Sequence, residues 1–428
     1  MSENSKPGSS RRRAGIGIAV ALVIGAGVAV AAGPMSLFSS AAPAASSAPI
    51  DGAAVENLEK SADKAVAAGL PGVIVRVDGG QSPAVNVVRQ ASWASADHRL
   101  DAGDDFKMGS NTKTITAALV LQLVAENRVG LDDSVEKFLP GAVPNGRLIT
   151  LRMLLNHTSG LEDYAYTLDG LDLMTGRQTQ QPSPTEVLAF GTKLPPFAAP
   201  GASWHYSNTG YSALGLVLEK VTGQKYADLV EERIVRPLGL QHTYVAGSRS
   251  ESVVHAPLAH GYEPDATELA AILPPGLPKG FGFVGAARGE RVDVTAVDHS
   301  WVGPEGAVVS TVADWAKFDR ALMSGNLVPE PLLRAMRTVV PEDEAAGPDH
   351  KYGLGLEQYN SPCGVVWGHQ GSWPGYSSDT YTDQTGQRTV AVLSTTRFGL
   401  KASAAAGTAY SELVNTAVCT MLGKSLPK

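Results

Sequence analysis

The chain has 428 residues, 43% hydrophobic and 18% charged, which is too long for one minimal domain and too apolar for disorder, so a sizeable core is expected. Lys plus Arg is 35 against 42 for Asp plus Glu, a net charge of −7, and this argues against a broad phosphate-neutralising face and so against nucleic acid as a partner. Two cysteines, Cys363 and Cys419, exclude a disulfide-dense scaffold and a four-cysteine zinc site but leave room for one bridge.

In chain order, Arg11, Arg12 and Arg13 precede an uncharged Ala/Val/Gly/Ile run over 14–32, and Ala/Ser/Pro sequence follows. Residues 1–48 therefore read as a cleaved export signal with a linker, and the protein as extracellular. The alternative is a membrane tether through residues 14–32, because that run approaches the roughly 20 residues needed to span a bilayer. The body, 49–428, opens with β-rich segments at 73–77, 84–88 and 91–95 and closes with a hairpin, 378–382 and 388–395, around Gln384-Thr385-Gly386-Gln387. Between them, three- and four-residue apolar spacing predicts helices at 114–127, 212–221, 226–235 and 314–323. Strands outside and helices inside imply a sheet with an inserted helical region, roughly 125–295. Two aperiodic Pro/Gly tracts, 181–201 and 263–282, read as long surface loops.

The chain contains no Gly-x-Ser-x-Gly and no His-Glu-x-x-His, which removes the α/β-hydrolase elbow and the zincins. A Gly-x-Gly-x-x-Gly at 280–285 follows prolines where a dinucleotide fingerprint needs a strand. Ser-x-x-Lys occurs at Ser61, Ser110, Ser134 and Ser425. A nucleophilic serine needs its lysine one helical turn away and a helix N-terminus to favour developing negative charge. Only Ser110 with Lys113 runs straight into a long apolar helix. Tyr-x-Asn occurs once, Tyr206-Ser207-Asn208, and His-x-Gly once, His369-Gln370-Gly371.

Ser-x-x-Lys, Tyr-x-Asn and His-x-Gly in that order resemble the serine β-lactamase/penicillin-binding family in its class C-like branch, and most closely the soluble exported D-alanyl-D-alanine carboxypeptidases. Further stretches that carry the resemblance are Leu154 to Leu161, Tyr206 to Tyr211 and Tyr352 to Leu356. The resemblance covers the chain after about residue 50 and implies an α+β fold: an antiparallel sheet flanked by helices, packed on a mostly helical domain. It implies a serine hydrolase that forms an acyl-enzyme on Ser110, with a D-alanyl peptide of peptidoglycan as substrate, β-lactams as acylating inhibitors and no cofactor or metal. The cysteine positions agree with a family disulfide between Cys363 and Cys419.

The roles follow from the resemblance. Lys113 and Tyr206 are the available bases, and either is able to take the Ser110 proton. Asn208 would hold the substrate amide, the backbone N–H groups of Ser110 and Ser372 would bind the oxyanion, and Gly371 would leave room along the strand edge. His369 is either a proton-transfer group or a structural histidine, and Trp301 either a substrate wall or a core tryptophan. A Ser-His-Asp reading through His157 and Asp163 is rejected, because Lys113 supplies a base. Where the carboxypeptidases carry an arginine after Gly-Leu-Gly-Leu, this chain has Glu357; Arg397 is the cation to which carboxylate recognition would then fall. Other expected activities are D-aminopeptidase or amidase, esterase and β-lactamase, and outside enzymes an inactive cell-wall-binding homologue.

Overall fold

The computed structural model describes residues 50–80, 83–248, 254–273, 276–342 and 348–427. The expected signal or anchor, 1–48, lies outside the described residues. Among the described residues no helix is long and apolar enough to cross a membrane.

The helix Gly52–Ala67, capped by Asp51, leads into β1 (Gly72–Asp78) and β2 (Val85–Gln90). The strand expected at 91–95 is instead a turn and a 3-10 turn, Ala94–Ala96, with Trp93 exposed against Tyr262. Only Ala94 of this stretch reaches the core, so the alternation that holds a strand is missing. After β3 (Phe106–Lys107) comes the helix Thr112–Ala125, whose first ten residues are all buried. Residues 125–295 carry mainly helices, with β4 (Tyr244–Val245), β5 (Tyr262–Pro264), β6 (Ala286–Arg288) and β7 (Arg291–Asp293) among them. The tract read as loop at 181–201 contains the helix Pro184–Thr192, opened by a Ser183/Glu186 capping box with Pro184 at its first turn. The helix expected at 226–235 is a helix over Tyr226–Val230 that continues as a π-turn, Glu231–Val235.

β8 (Val308–Ser310) pairs with both β3 and β4, and the helix Val312–Met323 follows it. The chain returns through β9 (Val340–Pro341), β10 (His350–Tyr352), β11 (Glu357–Ser361), β12 (Gly364–Trp373), β13 (Tyr376–Thr382) and β14 (Thr389–Ser394). These join β1 and β2 in one antiparallel eight-stranded sheet, ordered β2-β1-β14-β13-β12-β11-β10-β9.

Side-chain alternation separates two cores. Val73, Val75, Val77, Val390 and Val392 pack under Gly52–Ala67 and the C-terminal helix Ala404–Met421. Ile74, Ala391 and Leu393 face the opposite core, which contains Ile115, Leu119 and Leu123 of the helix Thr112–Ala125. That helix is therefore covered on every side, and a side chain at its first turn is held to one geometry. Cys363, in the turn before β12, lies 5.3 Å from Cys419 in the last helix between Cα atoms, in disulfide geometry.

Candidate active site

Met108 to Lys113 builds the centre. Gly109 takes a left-handed φ of 53°, and the turn Gly109–Asn111 enters the helix at Thr112. Met108 N donates to Val308 O (2.9 Å) and Val308 N to Thr112 Oγ1 (3.0 Å), fixing both sides of the turn to β8. Asn111 bonds the Ser378 and Thr380 hydroxyls (2.7 and 2.6 Å) and so ties it to the main sheet. Ser110 is left facing a cleft of about 720 Å³.

Lys113 Nζ donates to Ser110 Oγ (3.2 Å), Asn208 Oδ1 (2.7 Å) and the main-chain oxygen of Glu305 (2.9 Å). Burial pulls its ammonium down to about 8, against the upward pull of Glu305, Asp163 and Glu357. Tyr206 stands just before the helix Asn208–Thr222, which the extended Ser207 caps by accepting from Gly210 N. That cap delivers both Tyr206 and Asn208 to the Ser110 side. Burial pushes the Tyr206 phenol well above its ordinary value, against the downward pull of Ser110 beside it. Lys113 Nζ lies 4.8 Å from the Tyr206 ring centroid. His157, at φ 60°, packs its ring against Tyr206 with centroids 4.3 Å apart and the planes tilted by 34°, and its Nδ1 accepts from Ser207 N. It braces the tyrosine, and its ring nitrogen bonds the backbone rather than Asp163.

Asn208 has a different commitment from the one expected. Its amide oxygen accepts from Lys113, while Nδ2 donates to both oxygens of Asp163 (3.1 and 3.2 Å). The amide thus bridges the lysine to a buried carboxyl. Glu305, also buried, accepts from Ser212 Oγ (2.6 Å) and from the Tyr164 hydroxyl. Neither Glu305 nor Asp163 carried a sequence signal for this role, because each reaches Lys113 across the fold.

His369 lines the cleft but is only 1% exposed. Its Nδ1 donates to Gln370 O, so Nε2 accepts from the Tyr352 hydroxyl (2.7 Å). Burial pushes it down to about 3, and the ring is neutral, with both nitrogens bonded inside the protein. A Cβ at Gly371 would collide with Met108 O, Ser378 Oγ and Asn111 Nδ2, so its bareness lets β12 press against the turn that carries Ser110. Ser372 and Trp301 line the cleft, and Trp301 meets Trp373 edge-on at 5.9 Å.

Charges divide the cleft. Glu357 lies beside His369, with its Oε2 accepting from Gln370 N (3.2 Å). Burial pushes its carboxyl well above the usual range, and Glu342 and Asp379 add to that push. Arg397 lines the same cleft, bonds the Tyr166 hydroxyl (3.3 Å) and is close enough to lower that phenol.

The Beta-lactamase family model matches residues 56–415. Penicillin-binding protein 4* of Bacillus subtilis (strain 168) is 30% identical over 280 residues, 64% of this chain and 56% of that protein. Esterase EstB of Burkholderia gladioli is 32% identical over 187 residues, 41% of this chain and 47% of that protein. The chain thus spans about half the length of these relatives. Among solved structures, a D-stereospecific amidohydrolase from Streptomyces sp. is 34% identical with a TM-score of 0.68, covering 81% of this chain and 94% of that one. D-amino acid amidase from Ochrobactrum anthropi SV3, at 23% identity, shares the fold with a TM-score of 0.73 over 86% of this chain and 99% of that one.

Proposed function

Because the chain belongs to the Beta-lactamase family, a family of serine hydrolases, we propose that it cleaves D-amino-acyl amides through an acyl-enzyme on Ser110, and that it favours an uncharged leaving end over a free carboxylate. Lys113 is the base. Its amine form, about a tenth of the population at pH 7 for a group titrating near 8, takes the Ser110 proton as Oγ attacks the carbonyl. Tyr206, kept as a phenol by burial, protonates the departing nitrogen and recovers a proton from the Lys113 ammonium. The N–H groups of Ser110 and Ser372 hold the oxyanion, each typically worth about 3 kcal/mol in the transition state. Water then enters under the same base and releases the acid. β-Lactams would acylate Ser110 by the same attack.

One observation carries the substrate reading. The leaving group departs beside its proton donor, Tyr206, and Glu357 is among the charges that act on Tyr206 and Lys113 alike. This side of the site offers a buried carboxyl, pushed above its usual range by desolvation, where the carboxypeptidases present a guanidinium. A carboxyl group in either protonation state supplies no cation to bind a substrate carboxylate. Amidase activity therefore fits this side of the site better than carboxypeptidase activity, and the 34% identical D-stereospecific amidohydrolase supports it.

Kinetics on diacyl-Lys-D-Ala-D-Ala beside its C-terminal amide test this. An equal or higher kcat/KM on the amide is expected, whereas strong preference for the free acid restores the carboxypeptidase and points to Arg397. Failure of a labelled penicillin to modify Ser110, together with no ester hydrolysis, would indicate an inactive binding homologue. Export with removal of residues 1–48, and an oxidised Cys363–Cys419 bridge in the exported protein, belong to the same proposal; N-terminal sequencing and thiol titration of material from the medium check them.

A further inference from the structure

The catalytic lysine has a neighbour with no part in the three motifs. Glu305 ends the 3-10 segment Ser300–Glu305, which also holds Trp301, and passes into β8 through Gly306. It touches Lys113 through its main chain, by the 2.9 Å carbonyl bond. Its side chain is immobilised separately, by Ser212 of the helix Asn208–Thr222 and Tyr164 of the turn Tyr164–Tyr166. Behind it lies a second cavity of about 230 Å³, bounded by Val187, Leu216, Val302 and Pro304. The carboxyl thus sits between the cleft and an apolar space, where charges interact far more strongly than in water.

We propose that Glu305 is a positioning residue that governs how readily Lys113 gives up its proton: the carbonyl fixes the Nζ atom against Ser110, and the side chain is the buried carboxyl that biases its charge. The inference rests on the reading of Lys113 as base.

The groups packed around the carboxyl define the balance. Lys113 faces it from the helix Thr112–Ala125, Asp163 and Tyr164 from the 3-10 turn, Ser212 from the helix Asn208–Thr222, and Tyr226 from the helix Tyr226–Val230, where its hydroxyl bonds Thr116 (2.8 Å). Lys113 is the only cation among these. Glu305 is also the first among the charges that raise Lys113, ahead of Asp163 and Glu357. Burial holds the Glu305 carboxyl up at about 8, where Lys113 itself titrates, so the two exchange charge as a pair. A proton on Glu305 takes away the largest of the carboxylate pulls on Lys113 and so favours the amine. An ionised Glu305 favours the ammonium and withholds the base.

The sign of the effect is testable. Wild type, Glu305→Gln and Ser212→Ala are compared in the burst of p-nitrophenol from p-nitrophenyl acetate between pH 5.5 and 10, with Ser110→Ala as the blank. Glu305→Gln removes the charge that holds the ammonium, so the rising limb moves to lower pH by at least about half a unit. Ser212→Ala withdraws one donor from the carboxylate, so a smaller shift in the same direction follows, and it reports even if the glutamine variant does not fold. The midpoint is read independently of the plateau, and a merely structural loss lowers the plateau without moving the midpoint. A midpoint that stays put, or rises, in the folded variants overturns the inference. Absence of any Ser110-dependent burst in the wild type would instead overturn the reading of the site.

Discussion

Gly109 lies so close to Ser372 that a Cβ on it would fall 2.6 Å from the Ser372 nitrogen. The nucleophile turn and β12 therefore meet backbone to backbone, and the N–H groups proposed for the oxyanion belong to two segments in direct contact. Gly109→Ala adds that clash to a φ of 53° that alanine resists. Acylation of Ser110 should fall by about a hundredfold or more, the usual cost of one misplaced oxyanion donor. A stopped-flow burst within tenfold of wild type would rule out this arrangement.

The pH profile follows from Lys113. The reactive form is the amine, so acylation rises with pH through about 8 and drops tenfold per unit well below it. Lys113→Arg keeps the charge but holds its proton throughout, and should leave about a thousandth of the rate or less. A profile that is flat from pH 6 to 9 would remove Lys113 as the base.

Tyr206→Phe separates proton donation from attack. An amide nitrogen must be protonated to leave, whereas p-nitrophenolate departs unaided. The variant should lose roughly a hundredfold or more on amides and much less on p-nitrophenyl esters. Equal losses on both would place Tyr206 in activation of Ser110 instead.

Glu263 tests how the cleft wall is held. Its buried carboxyl accepts from the backbone N–H groups of Gly375 (2.5 Å), Arg397 (3.0 Å), Phe398 (2.8 Å) and Gly399 (3.3 Å). One side chain thus pins the turn after β12 to the segment that presents Arg397. Glu263→Gln turns an amide NH₂ toward those donors and should cost about 2–4 kcal/mol in urea unfolding. A change below 1 kcal/mol would mean that the cluster relaxes freely.

Periodicity located the elements whose reasons are local. The helices at Thr112–Ala125, Asn208–Thr222 and Val312–Met323 and the hairpin β13–β14 lie where apolar spacing and the Gly386 turn place them. Residues 91–95 looked like a strand because β-propensity is blind to whether a core lies alongside, and here only Ala94 meets one. The helix Pro184–Thr192 is masked by Pro184, Gly191 and the prolines on either side of it, although Ser183 and Glu186 spell its start.

By itself the sequence determined the identity of the chemistry: three short motifs in one order, each local to a helix start or a strand, name Ser110, Lys113, Tyr206 and His369, and the family follows from them. Only the tertiary structure decided what those groups are able to do, because charge depends on burial and on neighbours far away in the chain. It brought Asp163 and Glu305 to Lys113, turned both nitrogens of His369 inward, packed Gly371 against the Ser110 turn and buried Glu357, which pushes its carboxyl above the usual range. Desolvation is a property of the folded interior, and no residue's place in the chain reveals it.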